Sequence, residues 1–184
     1  MPTPVEILKH EHRIIERVLG ALSGVSQRLE SGEHVPPEAL SSFLDFIRTF
    51  ADRCHHGKEE THLFPALEQR GIPREGGPIG VMLHEHELGR GLVAELARTA
   101  DAYRQGEPSA GPRFAEIARQ YIELLAQHIQ KEDNILFQMA EQVLDEETKA
   151  RLERAFQQAE EELGAGTHEH FERVAASLEQ AWAT

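Results

Sequence analysis

His55-His56-Gly57-Lys58-Glu59-Glu60-Thr61-His62-Leu63-Phe64 returns further along the chain as His128-Ile129-Gln130-Lys131-Glu132-Asp133-Asn134-Ile135-Leu136-Phe137, an offset of 73 (128 minus 55). A shorter pair precedes these copies: Leu8-Lys9-His10-Glu11-His12 and Met82-Leu83-His84-Glu85-His86, offset by 74 (86 minus 12). The chain therefore reads as two helical hairpins. Each carries a histidine on its first helix and His-x-x-x-Glu on its second. Packed antiparallel, two such hairpins make an all-α, up-down-up-down four-helix bundle with pseudo-two-fold symmetry.

The punctuation between the repeats agrees. Thr3-Pro4-Val5-Glu6 predicts a helix start, with Thr3 as N-cap, Pro4 at the first helical position and Glu6 placed for a capping box. Leu8, Ile15, Leu19 and Leu22 then recur at helical spacing, and Gly32 with Pro36-Pro37 closes that segment. Further helices are expected over about 38–70, 79–105 and 113–142, separated by the Gly/Pro-rich stretches 71–78 and 106–112. Asp145 can cap a fifth, acidic helix through Leu163, and a short terminal helix follows Gly164-Ala165-Gly166-Thr167. The expected organisation is a bundle over 1–145 and a helical extension over 146–184 that packs on it.

His-x-x-x-Glu puts an imidazole and a carboxylate one turn apart on one helix face. A single such pair is usually solvated. Two pairs and two matched histidines at a common offset point to two neighbouring metal ions in the bundle core, with terminal nitrogen ligands and charge-balancing carboxylates. Imidazole with carboxylate suits iron, and no cysteine cluster or zinc-finger spacing is present. The apolar stripe chooses among adjacent histidines. His12 lies with Val5, Leu8, Ile15 and Leu19, whereas His10 lies with Glu6, Arg13 and Arg17. His86 follows Ile79, Met82 and Leu83; His84 shares its side with glycines. His128 sits among Tyr121, Leu124, Leu125, Glu132 and Ile135. On the second helix His55 lines up with Leu44, Ala51 and Glu59. His56 lines up with Asp45, Thr49, Asp52 and Glu60, a wetter face, and His56-Glu60 is the alternative register. The candidate ligands are His12, His55, Glu59, His86, His128 and Glu132.

Composition narrows the function. The 184 residues suit one domain, 40% hydrophobic and 28% charged, with a net charge of −13 that would repel a phosphate backbone. No apolar run reaches the ~20 residues needed to cross a bilayer. Cys54, the one cysteine, forms no internal disulfide, so a cytoplasmic protein is expected. No nucleophile–base motif or phosphate-binding loop supports another enzyme class.

On these residues the chain resembles the hemerythrin-like proteins with the HHE cation-binding domain. The resemblance spans about residues 5–145 and rests on Glu11-His12, Cys54 to Glu60, Leu63-Phe64-Pro65, Gly77 to Leu83, Glu85-His86, His128, Lys131-Glu132-Asp133 and Leu136-Phe137. It implies a four-helix bundle with a non-haem site of two iron ions, oxo- or hydroxo-bridged. Glu59 and Glu132 would bridge, His12 and His55 facing one iron and His86 and His128 the other. The oxygen carriers of the family place a second histidine one turn after the third-helix ligand, where this chain has Arg90. They also use His-x-x-x-x-Asp on the last helix, a spacing that Asp133 offers beside Glu132. Without that histidine the site is expected to be more open and less nitrogen-rich. It is then better suited to reacting with or sensing oxygen, peroxide or nitric oxide than to carrying oxygen, and iron storage or donation is the alternative. Arg90 reads as a salt-bridge residue, Tyr121 as packing or a neighbour of the site, Cys54 as a buried thiol, and His62 and His34 as surface residues. His168-Glu169-His170 starts an amphipathic helix that packs on the bundle. The acidic fifth and sixth helices could cover an open side or provide a homodimer face.

Overall fold

The structure, a computed structural model describing residues 1–184, is helical with no strand. Thr3 caps α1 (Pro4–Glu30) through the capping box with Glu6. The second helix, α2, is a continuous rod over 37–69 and ends where Gly71 takes a left-handed φ of +93°. After the 71–77 loop come α3 (Pro78–Arg104), α4 over 110–143, α5 (Glu146–Leu163) and α6 (Thr167–Trp182). Two boundaries differ from expectation. The fourth helix begins at Ala110, because a proline in the first turn (Pro112) costs no intrahelical hydrogen bond. The terminal helix is a full 16 residues.

α1 packs on α4 and α6, and α3 packs on α4. The apolar side chains form two separate clusters. One gathers 28 residues around Leu22, Phe43, Phe46, Leu96 and Phe114; the other gathers 15 around Leu8, Phe64, Leu67, Ile79 and Phe137. All six candidate ligands lie in the slab between them, so hydrophobic plugs seal the polar layer at both ends. The C-terminal helices join both plugs, with Leu152 and Phe156 in the smaller and Ala175 and Leu178 in the larger. Burial of a side chain the size of Leu or Phe contributes about 2 kcal/mol, so this pair is part of the bundle's core. α6 lies close on α1: a Cβ at Gly24 would stand 1.8 Å from the Trp182 carbonyl oxygen.

The helices around the slab are not regular. The amides of Gly57, Phe64 and Phe137 bond back five residues, to the carbonyls of Asp52, Glu59 and Glu132. Such widened turns concentrate at functional sites. Those at Glu59 and Glu132 are related by the internal repeat. The one in the Ile47–His56 segment has no counterpart on α4.

Candidate metal centre

Each helix of the four-helix core sends side chains into the slab. His12 comes from α1, His55 and Glu59 from α2, His86 from α3, and His128 and Glu132 from α4, all 2% exposed or less. His10 and His84 are exposed, as the stripe predicts. One expectation is overturned. His56, read as facing a wet side, is also buried, and its ring stacks on His86 with centroids 3.7 Å apart. The widened turn ending at Gly57 shifts the angular register, so adjacent residues both face inward. The polar residues that made this side look wet, Asp52 and Glu60, face α3 rather than open water.

Ligand atoms gather in two groups, in each of which one atom per residue lies within 4.8 Å of the others: His12, His55, Glu59 and Glu132, and His56, Glu59, His86 and His128. Each carboxylate touches both groups. Glu132 Oε1 is 3.1 Å from Nε2 of His12 and of His128, while Glu59 Oε1 is 3.7 Å from His55 Nε2 and 3.4 Å from His86 Nε2. The second group holds three imidazoles, His56 among them. The expectation of a nitrogen-poor site is corrected accordingly.

All five imidazoles are held the same way. His12 Nδ1–H donates to Asp133 (2.7 Å), His55 to Glu11 (2.9 Å), His56 to Asp52 (3.2 Å), His86 to Glu60 (2.6 Å) and His128 to Glu85 (2.9 Å). Every Nε2 is thereby aimed into the slab, the arrangement that fixes tautomer and ring orientation for metal ligation. A cation backs each outer carboxylate. Arg13 binds Asp133, Lys58 binds Glu11, Lys131 binds Glu85, and Arg90 binds Asp52 and Glu60. Arg90 forms the salt bridges expected of it, whereas the roles of Glu11/Glu85, Lys58/Lys131 and Glu60/Asp133 were not anticipated, although these pairs recur at the ligands' own offsets. Asp133 serves His12 from outside, and Glu132 is the carboxylate that points in. Arg90 is an ion-pair residue.

Within the slab His55 Nε2, His56 Nε2, both Glu59 oxygens and Glu132 Oε2 are buried with no hydrogen-bond partner. Native interiors rarely leave polar atoms unpaired, and five in one place call for an unshown partner. Burial and the neighbouring Glu132 carboxylate hold the Glu59 carboxyl well above its ordinary range. Burial lowers His55 to about 4 and also holds His56 well below the ordinary imidazole range, leaving both as neutral imidazoles with free lone pairs. Against its own burial, His128 is pushed up to about 9, chiefly by Glu132. Two buried carboxylates and five imidazoles fit hard or borderline divalent cations, iron among them.

A cavity of about 200 Å³ opens onto the His56–His86–His128 side. Ile47, Val93, Leu125 and Tyr121 give it apolar walls, and Arg48, Arg90 and Gly89 also line it. Tyr121 is buried, which raises its phenol above the ordinary range. Cys54 is buried but joins neither ligand group. Burial, then the Glu11 charge, pushes its thiol up to about 12. Iodoacetamide at pH 8 should therefore leave native Cys54 unmodified and alkylate it once the chain is unfolded. Mass spectrometry reads the difference, and rapid labelling of the native protein would contradict it.

A family model for the Hemerythrin HHE cation binding domain matches residues 3–140. Among curated relatives, an uncharacterized protein of Mycobacterium tuberculosis is 28% identical, the match covering 84% of this chain and 65% of that protein. The iron-sulfur cluster repair protein YtfE of Edwardsiella ictaluri is 32% identical over 72% of this chain and 59% of its own length. The iron-sulfur cluster repair protein DnrN of Neisseria gonorrhoeae is 36% identical over 45% of this chain and 54% of its own. The chain thus spans less than two thirds of the length of each of these relatives.

Proposed function

Because the chain belongs to the hemerythrin HHE cation binding domain family, we propose that the slab holds two iron ions and that the pair reacts with, or senses, oxygen, peroxide or nitric oxide. His12 and His55 serve one ion, and His56, His86 and His128 the other. Glu59 and Glu132 lie between them. This assignment goes with a division of the chain into a metal-holding bundle over 1–145 and a covering extension over 146–184. When bound, the pair supplies one-electron redox steps and a site for a small ligand. The chain's own residues do the rest. Outer carboxylates orient the imidazoles, the two apolar plugs exclude water, and Glu59 and Glu132 balance the cationic charge. No helix is long and apolar enough to cross a membrane, and a reduced iron centre beside a free thiol suits the cytoplasm.

The observation that carries a reactive reading over mere storage is the cavity. It offers a small molecule space beside the three-histidine side, and Gly89 is among its lining residues. A Cβ at Gly89 would meet Tyr121 and Leu125 at 3.8 Å, ordinary contact distance. Gly89→Ala should therefore be tolerated, and Gly89→Leu should obstruct the cavity. Stopped-flow mixing of the reduced protein with peroxide or nitric oxide is expected to show a rapid absorbance change. Gly89→Leu should slow it by about tenfold or more, a barrier increase of ~1.4 kcal/mol, with iron content unchanged. A reduced wild type inert to peroxide, nitric oxide and oxygen alike would overturn the reactive reading.

Iron donation is the second reading, favoured by the names of the Edwardsiella and Neisseria relatives. Transfer of iron to a metal-free acceptor by a protein that ignores peroxide and nitric oxide would select it.

A further inference from the structure

The internal two-fold relates Glu11–Lys58 to Glu85–Lys131, yet the two pairs sit in different surroundings. The Glu85 and Lys131 side chains are 13% and 38% exposed, whereas those of Glu11 and Lys58 are 1% and 0% exposed. The C-terminal helices account for the difference. His168 of α6 brings Nε2 to 3.3 Å of Glu11 Oε2, and Glu160 of α5 stands 3.5 Å from Lys58 Nζ. His168 Nε2 is also 3.5 Å from Glu160, its Nδ1 is 3.3 Å from Glu172, and its ring lies over Phe50. Glu11, Glu160 and His168 come close enough to hold a cation, but the Lys58 ammonium is already paired with both carboxylates. The arrangement is a buried ionic knot rather than a third metal site.

Glu11 connects that knot to the metal centre. Its Oε1 accepts the His55 Nδ1–H bond, while its Oε2 takes Lys58 and His168. Three donors on one carboxylate leave it little freedom to rotate, so His55 is held in its inward orientation. Nothing comparable acts on Glu85, whose donors are His128 and Lys131 alone. The docking of α6 that delivers His168 is fixed far from the slab, by the close approach at Gly24 and by the 3.0 Å Arg17–Glu179 ion pair.

We propose that His168 is a positioning residue for the His12–His55 half of the centre, so that the C-terminal helices retain one of the two metal ions more firmly than the bundle alone would. The inference rests on the two-iron reading above. Loss of an outer residue that orients a ligating histidine typically weakens metal holding about 10–100-fold, and here the effect should fall on one ion only.

The test uses the full chain loaded with iron, mixed with reductant and an excess of ferrous chelator, with release followed optically. In His168→Ala one of the two irons should leave about tenfold faster or more, while the other keeps its wild-type rate. His168→Gln retains an N–H donor toward Glu11 and should restore most of the slow release. Gly24→Ala lifts α6 without touching the slab and should reproduce the fast phase. His170→Ala, on the exposed side of the same helix, should change nothing. Unchanged release from His168→Ala and Gly24→Ala proteins that carry two irons would overturn the proposal, as would equal acceleration of both irons. A wild type that loads fewer than two irons would overturn the two-iron reading itself, and this inference with it, before any variant is compared.

Discussion

Glu59→Met is expected to abolish the paired metal site while making the metal-free protein more stable. Both Glu59 oxygens are buried without a hydrogen-bond partner, and the side chain is fully enclosed. An unsatisfied buried polar group costs about 1–3 kcal/mol, and methionine fills a similar volume without that penalty. A gain of about 2 kcal/mol would raise the midpoint by roughly 4–8 °C for a chain of this size. The same substitution removes the one carboxylate that belongs to both ligand groups, so neither group keeps its full donor set. Thermal unfolding of metal-free wild type and variant, together with iron analysis of the loaded proteins, reads both effects. A variant that still holds two irons would contradict the role assigned to Glu59. A marked loss of apo stability would contradict the view that the residue is kept for the metal rather than for the fold.

His55→Ala and His56→Ala should have complementary effects, each leaving about one iron per chain. His55 belongs to the group with His12 and Glu132, His56 to the group with His86 and His128, and both present an unpaired buried Nε2. Loss of a direct ligand should exceed the about 10–100-fold typical of an outer residue. The double substitution should leave no tightly held iron. Iron stoichiometry combined with the absorption spectrum distinguishes the two products. A His56→Ala protein that keeps both irons would reduce His56 to packing against His86.

Most of the centre could be read from the sequence, because helical periodicity and a repeat are local signals. The offsets of 73 and 74 give the antiparallel hairpins, and the apolar stripe separates His12 from His10 and His86 from His84. His56 escaped that logic for a physical reason. The stripe assumes a regular α-helical angle per residue, and the widened turn to Gly57 breaks it where the histidine doublet falls. No residue pattern in 47–57 announces that turn. The α4 counterpart of His56 is Ile129, so the repeat gave no help either. No local pattern marks the outer carboxylates as partners of the histidines, and Asp133 offers itself from spacing only as a ligand. Glu11, Glu85, Glu60 and Asp133 each adjoin a candidate ligand, and their role emerges only when each is brought against a histidine on a different helix. The contact between His168 and Glu11 spans 157 positions and carries no local signature beyond a third His-Glu-His. The C-terminal helices could be predicted as helices but not as part of the centre's surroundings.

Seven side chains in one buried slab are proposed to hold two iron ions. The most direct measurement is metal analysis of the aerobically purified protein, paired with its visible absorption. It should give about two irons per chain and the charge-transfer bands of a bridged diferric pair, both lost on chelation and both regained on reloading. Protein that contains only zinc, or that takes up no more than one iron under saturating conditions, would contradict the two-iron assignment.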